Sequence, residues 1–273
     1  MANRSVAFIG GGNIASALIG GLLLAGSAAQ DIVVVEPVAA QRDRLADQFG
    51  VQAQASADAR LAVAELVVWA IKPQVFAQTM LRDAPYAPHI SAALQVSVMA
   101  GVRSEAVVRA SGSARVVRAM PNTPALIGLG IAGLYARPEA TAADRDRVNA
   151  LFAPTGQVVW VNREDDLDAV TALSGSGPAY VFFFIEAMVQ AATEMGLSAE
   201  QGRHLALATF AGAAALAQQS PLSPAVLREQ VTSQGGTTHA AITALQQQGV
   251  GPAFVKALHA ARERAAELGR TSG

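Results

Sequence analysis

The chain has 273 residues, enough for two domains, and its 52% hydrophobic and 15% charged residues describe a protein that buries a large core. A net charge of −1 gives no electrostatic ground for nucleic acid or an anionic membrane as partner. Zero cysteines remove disulfides, thiolate metal sites and cysteine nucleophiles together.

The N-terminal stretch M-A-N-R-S-V-A-F-I-G passes into a strand pattern without a signal-peptide layout, which predicts a cytoplasmic protein. Residues 6–9 form the first apolar run, and Gly10-Gly11-Gly12-Asn13-Ile14-Ala15 then opens a helical pattern that continues to Leu24. Strand, tight turn and helix around G-x-G-x-x-A make the dinucleotide fingerprint. Gly10 is expected to permit the turn, Gly12 to let the backbone approach a pyrophosphate, and Ala15 to let helix and strand pack closely. A second strand over residues 32–35 delivers Glu36, where a ribose-binding acid belongs. The apolar segment 14–29 is interrupted by Gly20, Gly21 and Gly26 and is too short to span a bilayer, so no membrane partner is expected.

Residues 41–49 read as a helix, 51–55 as a short strand, and 66–71 as a strand buried on both faces and stopped by Lys72-Pro73. Residues 94–98 lead into Met99-Ala100-Gly101, and 115–119 end in Met120-Pro121-Asn122. Ligands of open parallel sheets gather at such carboxyl ends. Residues 131–134 and 158–161 extend the sheet, with a helix over 142–152 between them. The pattern predicts a doubly wound, Rossmann-type, mainly parallel sheet over residues 1–162, an α/β domain that binds a dinucleotide.

Strand patterns then cease, and residues 163–273 read as an all-α domain. Ser174-Gly175-Ser176-Gly177-Pro178 is a second Gly-rich turn before a helix over 179–195 that is apolar nearly all round. Such a helix needs burial on most faces. Ser198 with Gln201 signs a capping box for a helix to Gln219, and Pro224 and Pro252 start further helices. A helical domain of this size cannot bury that much apolar surface alone, which predicts a homo-oligomer, a dimer or a multiple of dimers, built through it.

Within this domain, V-T-S-Q-G-G-T-T-H-A-A from Val231 places Ser233, Gly235, Gly236, Thr237 and Thr238 directly before a helical pattern. Glycines that point successive amides one way, at the positive end of a helix dipole, suit a carboxylate or phosphate. The same residues also suit plain helix capping, and the residues alone leave both open. The four histidines, His89, His204, His239 and His259, stand far apart, and no metal site is expected.

The chain resembles the pyrroline-5-carboxylate reductase family over essentially its full length. The carrying motifs are F-I-G-G-G-N-I-A from Phe8, A-I-K-P-Q from Ala70, V-R-A-M-P-N-T-P from Val117, L-S-G-S-G-P-A-Y from Leu173 and V-T-S-Q-G-G-T-T from Val231. The last two, in combination and spacing, are specific to that family. The resemblance implies hydride transfer from NADPH or NADH to the imine carbon of 1-pyrroline-5-carboxylate, giving L-proline as the final step of proline biosynthesis.

It further implies cofactor contacts from Ile9, Gly10, Gly12, Asn13, Ile14, Glu36, Ala70, Lys72, Pro73, Met99, Ala100 and Asn122. Substrate contacts would come from Glu164, Ser176, Ser233, Gly235, Gly236, Thr237 and Thr238, with Thr238 the catalytic partner of the ring nitrogen. Glu36 opposes the 2′-phosphate of NADPH, while Arg42 and Arg44 stand near enough to compensate. A hydroxyacid dehydrogenase of the 6-phosphogluconate type shares the domain order, but Y-V-F-F-F-I-E after Pro178 lacks its lysine. A non-enzymatic nucleotide-binding scaffold would have no need of the second anion site.

Overall fold

In the computed structural model, which describes residues 5–77 and 86–271, the apolar runs form a seven-stranded sheet. V-A-F-I is β1 (Val6–Ile9), followed by α1 (Asn13–Leu24), β2 (Ile32–Val35) and α2 (Ala39–Phe49). Then come β3 (Leu66–Trp69), β4 (Leu94–Ser97), α3 (Ser104–Ser111) and β5 (Val116–Met120). β6 (Gly130–Ala136), α4 (Ala142–Phe152) and β7 (Gly156–Trp160) complete it. The strand order is β2-β1-β3-β4-β5-β6-β7, parallel except for the antiparallel pair β5 and β6.

β3 reads L-V-V-W with all four residues buried, as a central parallel strand covered on both faces requires. One face carries Phe8, Leu18, Ile19, Val34, Leu45 and Val68, and the other Ile9, Val67, Trp69, Phe76 and Ile90. Trp69 and Gln95 are both fully buried, and the indole N–H donates to Gln95 Oε1 at 2.9 Å, so the polar atom carried into the core is paired. At the outer edge, β6 and β7 open on facing glycines; a Cβ on Gly156 would lie 2.0 Å from the carbonyl oxygen of Gly130.

Two expectations are corrected. The strand over 51–55 is a single bridge, Val35 to Gln54, because the alternation V-Q-A-Q-A runs on into a 3₁₀ turn capped by Asp58 rather than along a partner. The Gly-rich turn at 174–178 is instead helical: α5 (Asp166–Val170) passes into a π-helical turn, Thr171–Gly175, closed by the Ser176 amide donating to Thr171 O at 2.8 Å. Gly175 packs against the tip of Met120, whose Cε would have to move to admit a Cβ, 2.6 Å away. π-turns inside helices recur at functional sites.

The helices that follow are α6 (Gly177–Glu194), α7 (Ala199–Gln219), α8 (Pro224–Gln230), α9 (Thr237–Gln247) and α10 (Val250–Thr271). The Ser198/Gln201 capping box is formed as the sequence signals. By contacts the chain divides into one compact unit of Met1–Gly177 with Ala260–Gly273, and a second of Pro178–His259. In the second unit Gly202 lets α7 approach Ala192 of α6, and Phe254 meets the rings of Tyr180 and Phe184 edge-on, each at 5.8 Å between centroids.

Much of α6 nevertheless faces outward: Phe182 is 58% and Phe183 65% exposed, beside exposed Val181 and Met188. Residues 166–194 are long and apolar enough, by length and composition alone, to cross a membrane. A contiguous outward apolar face of this kind marks a surface that is covered by something.

Candidate functional site

The turn after β1 is built by close approach. Gly10 has φ +98°, and a Cβ there would meet the carbonyl oxygen of Ala70 at 2.6 Å, so the fingerprint turn and the A-I-K-P segment after β3 are in contact through the main chain. Gly12 is the N-cap of α1; a Cβ on it would meet nothing within 4 Å, and the first turn of α1 carries no acid. A glycine opening on free space before uncapped helical amides, at the positive end of the dipole, suits an anion such as a pyrophosphate. Ala15 is fully buried against the sheet as expected.

Gly11 has a function that the fingerprint leaves unspecified. Its amide donates to Glu36 Oε2 at 2.8 Å, and a Cβ on it would meet Leu45 Cδ1 at 2.7 Å. The other oxygen of Glu36 accepts from the Val38 amide at 2.8 Å, and the residue is only 8% exposed. Arg42 donates to the carbonyls of Glu36 and Pro37 at 2.9 and 2.8 Å, so its guanidinium secures the end of β2.

Lys72 is exposed at the N-terminus of the one-turn helix Pro73–Val75. At the end of β4, Met99 is 3% exposed and packs in the core, and its amide donates to Ser97 Oγ at 3.3 Å, so its side chain does not face a cofactor. Ala100 beside it is exposed. After β5, Asn122 Oδ1 accepts from the Ile131 amide at 3.0 Å and holds the turn that leads to β6.

Glu164 has both oxygens engaged. Oε1 accepts from the Ser104 amide at 2.7 Å and from Arg118 Nη1 at 2.8 Å, and Oε2 accepts from Ser104 Oγ at 2.8 Å. Burial pushes its carboxyl up, but the Ser104 amide and hydroxyl and the Arg118 guanidinium outweigh that and hold it below the usual carboxylate range. Asp165 pairs with Arg103, whose guanidinium holds it low, whereas burial raises Asp168 against the pull of Arg103 and Arg118. Ser104 and Arg118 escaped the sequence-based selection of site residues. The signal for Arg118 was an arginine within the apolar strand V-V-R-A-M, which demands a buried acid. Nothing local points to Ser104.

In the turn before α9, which lies in the second unit, the positive φ falls on Gly235 (+76°), and Gly236 is the extended N-cap of α9. The Gly236 amide donates to Ser233 O at 3.0 Å, and a Cβ on Gly236 would sit 2.8 Å from Ser233 Oγ. Gly236 has no side chain with which to cap, and Thr237 and Thr238 are the first two helical residues, so Thr238 is not the cap. Ser233, Gly235 and Thr237 are exposed and Thr238 is half-buried. With the Gly236 amide spent on Ser233 O, the arrangement offers a small anion the amides on either side of it, at Gly235 and Thr237, and flanking hydroxyls.

Comparison with known proteins agrees with both halves. Residues 5–101 match the family described as coenzyme F420-dependent NADP oxidoreductase, and residues 164–268 the one described as pyrroline-5-carboxylate reductase dimerisation. A pyrroline-5-carboxylate reductase of Pseudomonas aeruginosa is 41% identical, with all of both chains covered. That of Pasteurella multocida is 39% identical over 98% of each chain. Among solved structures, a pyrroline-5-carboxylate reductase from Coxiella burnetii superimposes with TM-score 0.87 at 34% identity, over 97% of this chain and 98% of that one. The Plasmodium falciparum enzyme with NADP bound gives 0.86 at 28%, over 98% and 99%.

Proposed function

The chain belongs to the pyrroline-5-carboxylate reductase family, NAD(P)H-dependent oxidoreductases of proline biosynthesis, and on that premise we propose which of its residues carry the reaction. The observation that supports the assignment most is the exposed N-terminus of α9, with Gly235 at φ +76° and no side chain on the N-cap. The substrate is a small cyclic imine with one carboxylate. The Gly235 and Thr237 amides with Ser233 bind that carboxylate, Gly236 holds the turn through its bond to Ser233 O, and the Thr238 hydroxyl hydrogen-bonds the ring nitrogen. Fixing both ends of a five-membered ring leaves it little freedom, which is how positioning lowers a barrier.

NAD(P)H supplies the hydride that the C=N carbon accepts. We assign to it Gly10, Gly12, Asn13 and Ile14 around the phosphates, with the buried Ile9 behind them, Glu36 at the ribose, and Ala70, Lys72, Pro73, Met99, Ala100 and Asn122 at the strand ends. The nitrogen must end protonated. A threonine is too weak an acid to give up a proton unaided, so Thr238 orients a substrate that is already an iminium or relays a proton from water. Ser176, beside the π-turn, is assigned to the substrate as well.

In functional terms residues 1–162 serve the dinucleotide and 163–273 the substrate and the subunit contact. We assign the outward face of α6 around Phe182 and Phe183 to a homodimer interface rather than to lipid, and the enzyme to the cytoplasm. Adding 1-pyrroline-5-carboxylate to enzyme and NADPH or NADH should consume nicotinamide absorbance in step with proline formed. Absorbance loss without proline would overturn the substrate assignment.

A further inference from the structure

We propose that Glu164 is a positioning residue for the cofactor: from sixty residues away it caps α3 and thereby fixes the 99–103 loop whose main chain serves the nicotinamide half. The inference rests on the assignment of Met99 and Ala100 to the cofactor.

Helix α3 begins without a cap of its own. Its N-cap residue is Arg103, whose side chain accepts no hydrogen bond, and the Ser104 amide is one of the first-turn donors that have no partner within the helix. Glu164 takes that amide at 2.7 Å and the Ser104 hydroxyl at 2.8 Å, and its negative charge sits at the positive end of the helix dipole. Glu164 pairs a first-turn amide, as an N-cap Ser or Asp does for the second or third residue, but from a position distant in sequence.

The same carboxylate reaches the sheet. Arg118, 6% exposed on β5, donates to Oε1 at 2.8 Å, and its register partner on β4 is Ser97. Ser97 Oγ in turn accepts from the Met99 amide at 3.3 Å. Both ends of the loop are therefore tied to one carboxylate, at Ser104 directly and at Met99 through the paired strands. Alongside, Asp165 holds Arg103, and on the far side Gly101 lies against Leu268 and Gly269, where a Cβ would meet Leu268 main chain at 3.2 Å. All three donors to Glu164 come from the helix start and the sheet, two from Ser104 and one from Arg118. That is the environment of a brace, not of a group kept ready for a substrate.

The brace and the substrate-contact assignments make opposite forecasts for Glu164→Gln in the full-length enzyme. If Glu164 is a brace, NADPH and NADH both bind roughly tenfold more weakly by nicotinamide fluorescence titration, the size expected on losing a charge-assisted hydrogen bond. Amide exchange over residues 98–107 quickens in protein without cofactor, and KM for the imine stays within about twofold at saturating cofactor. Ser104→Ala, which removes one of the three donors, shifts cofactor affinity and exchange the same way by less. It carries the test if Glu164→Gln does not fold.

A raised KM for the imine with unchanged dinucleotide affinity and unchanged exchange would make Glu164 a substrate ligand and overturn the proposal. So would a Glu164→Gln enzyme unchanged in all three. If the wild-type protein binds dinucleotide but does not reduce the imine, the proposed function fails separately, and the titration and exchange still decide the brace.

Discussion

The amide of Gly11 donates to Oε2 of Glu36 at 2.8 Å, so the acid at the end of β2 also holds the turn that follows β1. Replacing it therefore has two effects. In Glu36→Ser the like charge facing a 2′-phosphate is gone, and the ratio of kcat/KM for NADPH to that for NADH should rise by roughly tenfold. Affinity for both cofactors should fall together because Gly11 loses its acceptor. Steady-state rates with each cofactor measure both effects, and an unchanged ratio would mean that Glu36 braces the turn without meeting the ribose.

Thr238→Ala should lower kcat/KM for the imine roughly tenfold to a thousandfold, since one transition-state hydrogen bond is worth about 1.5–4 kcal/mol. Thr238 is the second residue of α9 and not its cap, and alanine is the better helix former there, so Tm should hold or rise slightly. Thr237→Ala should do much less. A Thr238→Ala enzyme that is fully active but less stable would falsify the catalytic assignment.

The two glycines before α9 should fail for different reasons. Gly235→Ala places a Cβ on a residue at φ +76°, about 1–2 kcal/mol of local strain, and should raise KM for the imine while leaving cofactor affinity alone. Gly236→Val drives a branched side chain into Ser233 Oγ, 2.8 Å from where its Cβ would lie, and should abolish imine binding. Normal KM in either variant would remove the turn from the substrate site.

Phe183→Glu puts a charge on the exposed face of α6, where Phe183 is 65% exposed in the single chain. If that face is the subunit contact, light scattering at micromolar concentration should show monomer or aggregate in place of the wild-type oligomer. An unaltered oligomer would place the interface elsewhere.

Asp144 accepts from the Thr141 amide and hydroxyl, each at 2.9 Å, and from Arg115 Nε at 3.0 Å. Burial pushes its carboxyl up, but Arg115 and Thr141 outweigh this and bring it to about 2. A folded-state value below the unfolded one, about 3.9, means stability that is present above about pH 4 and lost as pH falls toward 2, on the order of 2 kcal/mol. The Tm gap between wild type and Asp144→Asn, at fixed protein concentration, should be wide at pH 6 and narrow at pH 3. An equal gap at both would mean that the ion pair contributes nothing that depends on the proton.

The strands were legible because buried parallel strands are plain apolar runs: residues 6–9 and 32–35 begin and end where the sequence places them. Capping is local, so Ser198 with Gln201 could be read directly. Glycine was ambiguous, since the residue that permits a turn at Gly10 also permits close packing at Gly175, and only the neighbour, Ala70 or Met120, tells the two apart. Long-range polar partners left no local trace. Ser104 looks like any serine until Glu164 is seen against it, and the fingerprint marks Gly11 as a free position although Glu36 and Leu45 constrain it.

The facing glycines at the start of β6 and β7 bear on how the last strand finds its place. β7 ends the strand order and is templated by β6 alone, so nothing on its outer side corrects a misaligned pairing. The native alignment sets Gly130 against Gly156 and Ile131 against Gln157. In that frame position 156, at φ +135° and with only 2.0 Å between the site of a Cβ and the Gly130 carbonyl oxygen, takes glycine alone, and Gly156 is the one glycine of β7. The close main-chain approach at the start of the pair thus favours this one frame independently of how the side chains pack.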